Sequence, residues 1–186
     1  ALRCFRENKR LYPESRRLAF LLIDLYLKSG DFNRAMTEIE HAFNAFGFDE
    51  GMLDAALQVR AKIGPMKIDD NPSNCPTVSL CMIAKNEEAH LARCLLSLKP
   101  MVNELIVVDT GSTDRTREVA TVFGAQVHHF TWREDFSVAR NASLNHASGD
   151  WIMVMDADEV LSPHDFAEFE IILGQYASKN VAFSFV

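Results

Sequence analysis

The sequence lacks an uninterrupted apolar run of the ~20 residues that a bilayer span requires. The nearest approach, Leu18 to Leu27, is short and broken by Asp24, so no transmembrane segment is expected. No secretory signal is visible either, although Ala1 opens the chain in mid-pattern, as an excised fragment would. Basic charge is scarce: 19 Lys and Arg stand against 26 Asp and Glu, a formal net charge of −7. Nucleic-acid binders draw affinity from clustered Lys and Arg, so this balance argues against nucleic acid as a partner. Cysteines are few: Cys4, Cys75, Cys81 and Cys94. None forms a CxxC pair, and Cys81 and Cys94 lie in apolar patterns where Cys packs as a small hydrophobe. That argues against a zinc site or a disulfide framework and fits a reducing, cytoplasmic setting. An apolar fraction of 48% with 24% charged residues argues against bulk disorder.

Three prolines and a glycine gather in Gly64 to Pro76, GPMKIDDNPSNCP, which can sustain neither a helix nor a central strand. Residues 64–76 are therefore expected to be a linker between a helical segment, 1–63, and an α/β domain, 77–186. In the helical segment Leu18, Leu21, Leu22 and Leu25 recur at three-to-four spacing, as do Ala35, Met36, Ile39, Ala42 and Phe43. Between them, Ser29-Gly30-Asp31 supplies a helix stop and a following N-cap. The hairpin resembles a tetratricopeptide repeat through Tyr26, Gly30, Phe32, Ala35 and Ala42, with Gly47 in place of the usual closing proline. Asp49 to Ala61 is expected to add a helical partner. Such arrays need ~3 repeats to bury their faces, so the segment is either part of a longer array or rests on the next domain. The resemblance also implies a possible protein partner; a plain helical prefix is the alternative.

Beyond the linker, strands are expected over Thr77–Ile83, Glu104–Val108, Ala125–Phe130 and Trp151–Met155, with a further one over Val181–Val186. Helices are expected over Asn86–Leu98, from a Ser112 or Thr113 cap to Gly124, over Phe136–Ala147, and from Pro163 at a first turn. Near-continuous apolar strands alternating with helices predict a doubly wound, mostly parallel sheet covered on both faces. Ligands of such sheets bind at the carboxyl ends of the strands.

Those ends read Lys85-Asn86-Glu87-Glu88, Asp109-Thr110-Gly111-Ser112 and Asp156-Ala157-Asp158-Glu159. Residues two apart in extended chain project to one side, so Asp156 and Asp158 can face one ligand with Ala157 turned away. Their mutual repulsion calls for a cation or a shared proton. Mn2+ or Mg2+, bound by few carboxylates, water and substrate phosphate, is the natural answer; a solvated acidic turn is the alternative. Asp109 is a candidate for contacting hydroxyls or a base edge, or for hydrogen-bonding its own turn. Glu87 is a ligand candidate, whereas Glu88 suits a first helical turn. Arg140 offers a bidentate fork for phosphate oxygens, or a surface partner for Glu134 or Asp135. His128 and His129 point to opposite faces of a strand and carry no role. Trp132 reads as a packing residue rather than a stacking platform.

Taken together and in order, SLCMIAKNEEAHLARCLLSL, ELIVVDTGSTDRT and DFSVARNASLNHASGDWIMVMDADE resemble glycosyltransferase family 2, over Thr77 to about Pro163. The resemblance implies a GT-A, Rossmann-like fold and a nucleotide-diphospho sugar donor, most often a UDP-sugar. It implies an acceptor glycan, lipopolysaccharide core or peptide, and inversion at the anomeric carbon. Residue by residue, it implies that Asp109 binds the base and that Arg140 contacts base or diphosphate. Asn86 and Glu87 would line the nucleotide pocket. Asp156-Ala157-Asp158 would be the DxD motif, with Asp156 on the ribose or a metal-bound water and Asp158 the direct metal ligand. The family's catalytic base lies beyond the DxD strand, and no residue before Val186 is assigned that role, so the domain is expected to be truncated there. IVVDTGST also resembles the aspartic-protease turn, and IMVMDADEV the first motif of haloacid-dehalogenase phosphatases. A non-catalytic, repeat-bearing binding module is the remaining alternative.

Overall fold

The computed structural model describes residues 2–66, 76–176 and 181–183. Most of the expected linker, and Cys75 with it, lies outside them. Four helices come first: α1 (Leu2–Leu11), α2 (Arg16–Ser29), α3 (Phe32–Phe46) and α4 (Glu50–Ile63). Each turn carries its own chemistry. Ser15, Asp31 and Asp49 cap α2, α3 and α4 by accepting from Leu18, Arg34 and Met52 N–H. Gly30 closes α2 at φ 75°, a left-handed conformation suited to glycine.

The second part alternates β1 (Val78–Ala84), α5 (Leu91–Leu98), β2 (Glu104–Asp109), α6 (Thr116–Val122), β3 (Gln126–His129), α7 (Phe136–Leu144) and β4 (Trp151–Val154). A 3-10 turn at Pro163–Asp165, capped by Ser162, then leads into α8 (Phe166–Tyr176). The sheet order is β3-β2-β1-β4 with every pairing parallel. This is the expected doubly wound α/β fold, and its parallel sheet sets aside the all-β aspartic-protease reading. The chain steps outward from β1 to β3, then returns to place β4 on β1's other side, so the order reverses between β1 and β4. That crevice is where such sheets bind ligands.

The docking of β4 on β1 depends on small polar contacts. Trp151 N–H donates to Thr77 O at 2.9 Å, and Asp150 accepts from the Thr77 N–H and hydroxyl. Gly149 N–H donates to the Ser79 hydroxyl at 2.8 Å. A Cβ at Gly149 would sit 2.8 Å from Ser79 N, so no side chain fits there.

Several boundaries differ from expectation, each for a visible reason. Residues 86–90 form turns rather than the start of α5, because their backbone is bonded across to the β2–α6 loop. Asn86 takes φ 57° and donates its N–H to Ser112 Oγ; Glu87 N–H donates to Thr116 Oγ1, and Glu88 N–H to Asp114. Ser112 is thus occupied, and Asp114 accepts from Thr116 N–H at the start of α6. The sheet is covered on both faces at β1 and β2 only. On the edge strand β4, Met153 is buried but Ile152 and Val154 remain 47% and 45% exposed. Residues 181–183 are irregular, and the rest of that expected strand lies outside the described residues.

The helical segment rests on the α/β part. Phe43 of α3 meets Phe123, just after α6, edge to face at 5.4 Å, and both are essentially fully buried. Around that apolar seam, Arg60 donates to the Val122 carbonyl at 2.8 Å, and Glu40 pairs with Lys99 at 2.9 Å. Arg115 pairs with Asp54 at 2.8 Å. Burial depresses the Arg60 guanidinium, and Glu40 partly offsets it. The α3 and α4 faces are therefore consumed by α5 and α6. No helix among the described residues is long and apolar enough to cross a membrane.

Candidate functional site

Register fixes which residues reach the rim. Ala84 of β1 is level with Asp109 of β2, and Asp109 with His129 of β3, so three strands end together. β4 joins β1 with Cys81 opposite Val154, which carries Asp156 to Asp158 past the same edge. Over this edge lies a cavity of about 480 Å³. Its walls are Ile83, Ala84, Lys85 and Glu87 after β1, Thr110 after β2, Trp132, Phe136 and Arg140 on one side, and Asp156 to Asp158 after β4.

Four of the six predicted site residues meet here: Glu87, Arg140, Asp156 and Asp158. Arg140 lies on α7, whose N-terminus is capped by Asp135 accepting from Ser137 and Val138 N–H. One turn after the exposed Phe136, its guanidinium reaches Asp156 Oδ1 at 3.0 Å. Asp156 N–H is held by Glu159 Oε2 at 2.9 Å. Ala157 is only 4% exposed while its flanking aspartates face outward, the alternation expected of the Asp-Ala-Asp unit. Beneath this loop, Cys94 Sγ contacts the Asp156 carbonyl; burial, reinforced by Glu159, Asp158 and Asp156, pushes the thiol up to about 12. It stays protonated. Glu87 Oε2 lies 3.1 Å from His90 Nδ1.

The other two predicted residues work beside the cavity, not in its wall. Asp109 is 1% exposed, and its carboxylate accepts from Gly111 N–H at 3.3 Å and Ser112 N–H at 3.1 Å. Asn86 Oδ1 accepts from Thr113 N–H at 2.8 Å, closing the β1 turn onto the β2 turn. Both therefore shape the wall that Lys85, Glu87 and Thr110 present.

Lys85 and Thr110 stand in the sequence only as strand-end residues and Phe136 only as a helix start, while Trp132 reads as a packing residue; all four line the cavity. The first two follow their strands directly, where the strand-end rule places them without choosing them as ligand candidates. The aromatics follow β3, the strand with the weakest apolar pattern, and no polar cluster follows it directly. His128 stacks on His146 with ring centroids 3.6 Å apart; burial and then His146 depress it, and neither ring lines the cavity.

The donor set bears on metal binding. Among the described residues no three His, Cys, Asp or Glu side chains gather as a metal cage. Two exposed carboxylates at a cavity, Asp156 and Asp158, instead fit a hard cation that keeps waters and takes its remaining ligands from substrate phosphate.

Residues 79–170 match the family described as "Glycosyl transferase family 2". The chain is 52% identical over 98 residues to a TPR repeat-containing protein of Synechococcus elongatus, covering 53% of this chain and 24% of that protein. It is 36% identical over 92 residues to the SPbeta prophage-derived glycosyltransferase SunS of Bacillus subtilis, covering 48% and 22%. The chain thus spans about a quarter of the length of these relatives. Among solved structures it is similar to a Mycobacterium tuberculosis glucosyl-3-phosphoglycerate synthase crystallised with Mn2+, UDP and glucosyl-3-phosphoglycerate. That likeness has a TM-score of 0.46 and 29% identity, over 72% of this chain and 45% of that one.

Proposed function

Residues 79–170 belong to glycosyltransferase family 2, and from that premise we propose that the cavity binds a nucleotide-diphospho sugar and passes its sugar to an acceptor. The observation that carries this reading is the Arg140–Asp156 ion pair, beside Asp158, in the lining of one cavity at the sheet's reversal point. A diphosphate carries charge that must be matched as the sugar leaves. Arg140 offers a planar fork for its oxygens, and Lys85 a second cation lining the same cavity. Asp156 and Asp158 would hold Mn2+ or Mg2+, which when bound neutralises charge on the departing diphosphate. Glu87 and Thr110 remain to contact the donor's hydroxyls.

The transfer inverts the anomeric carbon, and the acceptor is a glycan, lipopolysaccharide core or peptide; both follow from family resemblance. The helical segment holds α5 and α6 through Lys99, Arg115 and Val122, none of which lines the cavity. Isothermal titration of UDP with and without Mn2+ tests the reading. Metal-dependent binding that is lost in Asp158→Ala is the expected result. No binding at all, or metal-independent phosphatase activity, would overturn it.

A further inference from the structure

Trp132 and Phe136 are left unused by the reading above, and their placement is unusual for aromatic side chains. Phe136, the first residue of α7, is 68% exposed, and Trp132 is half-buried. Neither joins the core. They pack on each other instead, edge to face, with centroids 4.8 Å apart and planes at 70°. Both line the cavity. Edge-to-face packing favours the two rings staying in contact, so they present one joint aromatic surface to the cavity.

Position along the rim gives that surface its meaning. Trp132 lies in the segment between β3 and α7, and Phe136 opens α7. Phe136 and Arg140 are four residues apart on α7 and share a face; Arg140 in turn reaches Asp156. Across the cavity the order is therefore aromatic, cationic, acidic. A nucleoside diphosphate has the matching order of parts: a flat base, a ribose, then phosphates that seek cations. With its diphosphate at Arg140 and near Asp158, its base has the aromatic pair within reach, since Phe136 stands one turn before Arg140 and both rings line the same cavity.

We propose that Trp132, braced by Phe136, stacks on the nucleobase of the donor. This rests on the sugar-nucleotide reading and adds the residue that holds the base. Every base has a π face, so such a contact contributes affinity with little choice among bases. Asp109, tied into its own turn, is not needed for it.

The test compares two probes on the full 186-residue chain: UDP and inorganic pyrophosphate, each titrated in the presence of Mn2+. Trp132→Leu is expected to weaken UDP by roughly five- to a hundredfold, the range of a base–aromatic stack, while pyrophosphate binding is unchanged. Trp132→Phe, which keeps a ring, retains most of the UDP affinity. Equal losses for both probes would assign Trp132 a structural role and overturn the proposal. So would undiminished UDP binding by Trp132→Leu, which would leave the aromatic wall to an acceptor ring. In either case the donor reading survives, because the unaltered chain still binds UDP. If the unaltered chain binds neither probe, the donor reading itself has failed and the stacking role with it.

Discussion

Replacing Asp109 with alanine separates a residue that builds the site from one that touches the ligand. Its carboxylate accepts from Gly111 N–H at 3.3 Å and from Ser112 N–H at 3.1 and 3.3 Å, in a position 1% exposed. Hydrogen bonds to a charged group contribute about 1.5–3 kcal/mol each, and these are long ones. Two bonds at the low end of that range amount to about 3 kcal/mol. The Ser112 N–H would also be left unpaired in a residue only 7% exposed. Against a typical domain stability of about 5–15 kcal/mol that is a large loss. With a urea slope of about 3 kcal/mol per molar, the unfolding midpoint falls by about 1 M. Asp109→Asn falls between the two, since it keeps one acceptor oxygen for Ser112 but turns an amide donor toward a backbone donor. Equilibrium urea unfolding followed by far-ultraviolet circular dichroism measures all three chains. An alanine variant as stable as the unaltered protein, but deficient in UDP binding, would refute the argument and return Asp109 to the base.

Phe43→Ala should cost about 3–5 kcal/mol, the usual loss for a buried phenylalanine, because it opens the seam against Phe123. An unchanged Tm would show that the helical segment is not fastened there. Glu104 governs an acid-range effect: burial pushes its carboxyl up, but the Ser79 hydroxyl, Ser148 N–H and hydroxyl, and Gln126 amide together hold it below the usual carboxylate range. A folded pKa below the unfolded one lends stability that is complete above the unfolded value, about 4.3, and is lost as pH falls through the folded one. Glu104→Gln should flatten the acid limb of the urea midpoint plotted against pH, and parallel limbs for the two chains would count against it.

Much of the architecture was legible because local signals agreed with tertiary packing. The apolar runs TVSLCMI and ELIVV became β1 and β2, the two strands buried on both faces, where a run without alternation is required. Gly30 and Asp31 ended one helix and began the next through chemistry within a few residues. Boundaries failed where distant partners decided them. Asn86 to His90 has helical spacing, yet three of its backbone N–H groups are taken by Ser112, Thr116 and Asp114, 26 to 29 residues away. Trp132 does pack, edge to face on Phe136, but that the pair lines a cavity and not the core is set by neighbours that no sequence window contains.

The order of residues alone determined the strand–helix alternation, the polar character of each strand end and the Asp-Ala-Asp spacing, since these depend on periodicities of two and about four residues. Only the folded chain decided which strand ends became neighbours. The β3-β2-β1-β4 order brings Arg140 to Asp156, buries Asp109 in its own turn and lays α3 and α4 against α5 and α6. Those outcomes depend on register, on a glycine with no room for a side chain and on charge pairs across the seam, which are long-range contacts that only tertiary packing creates.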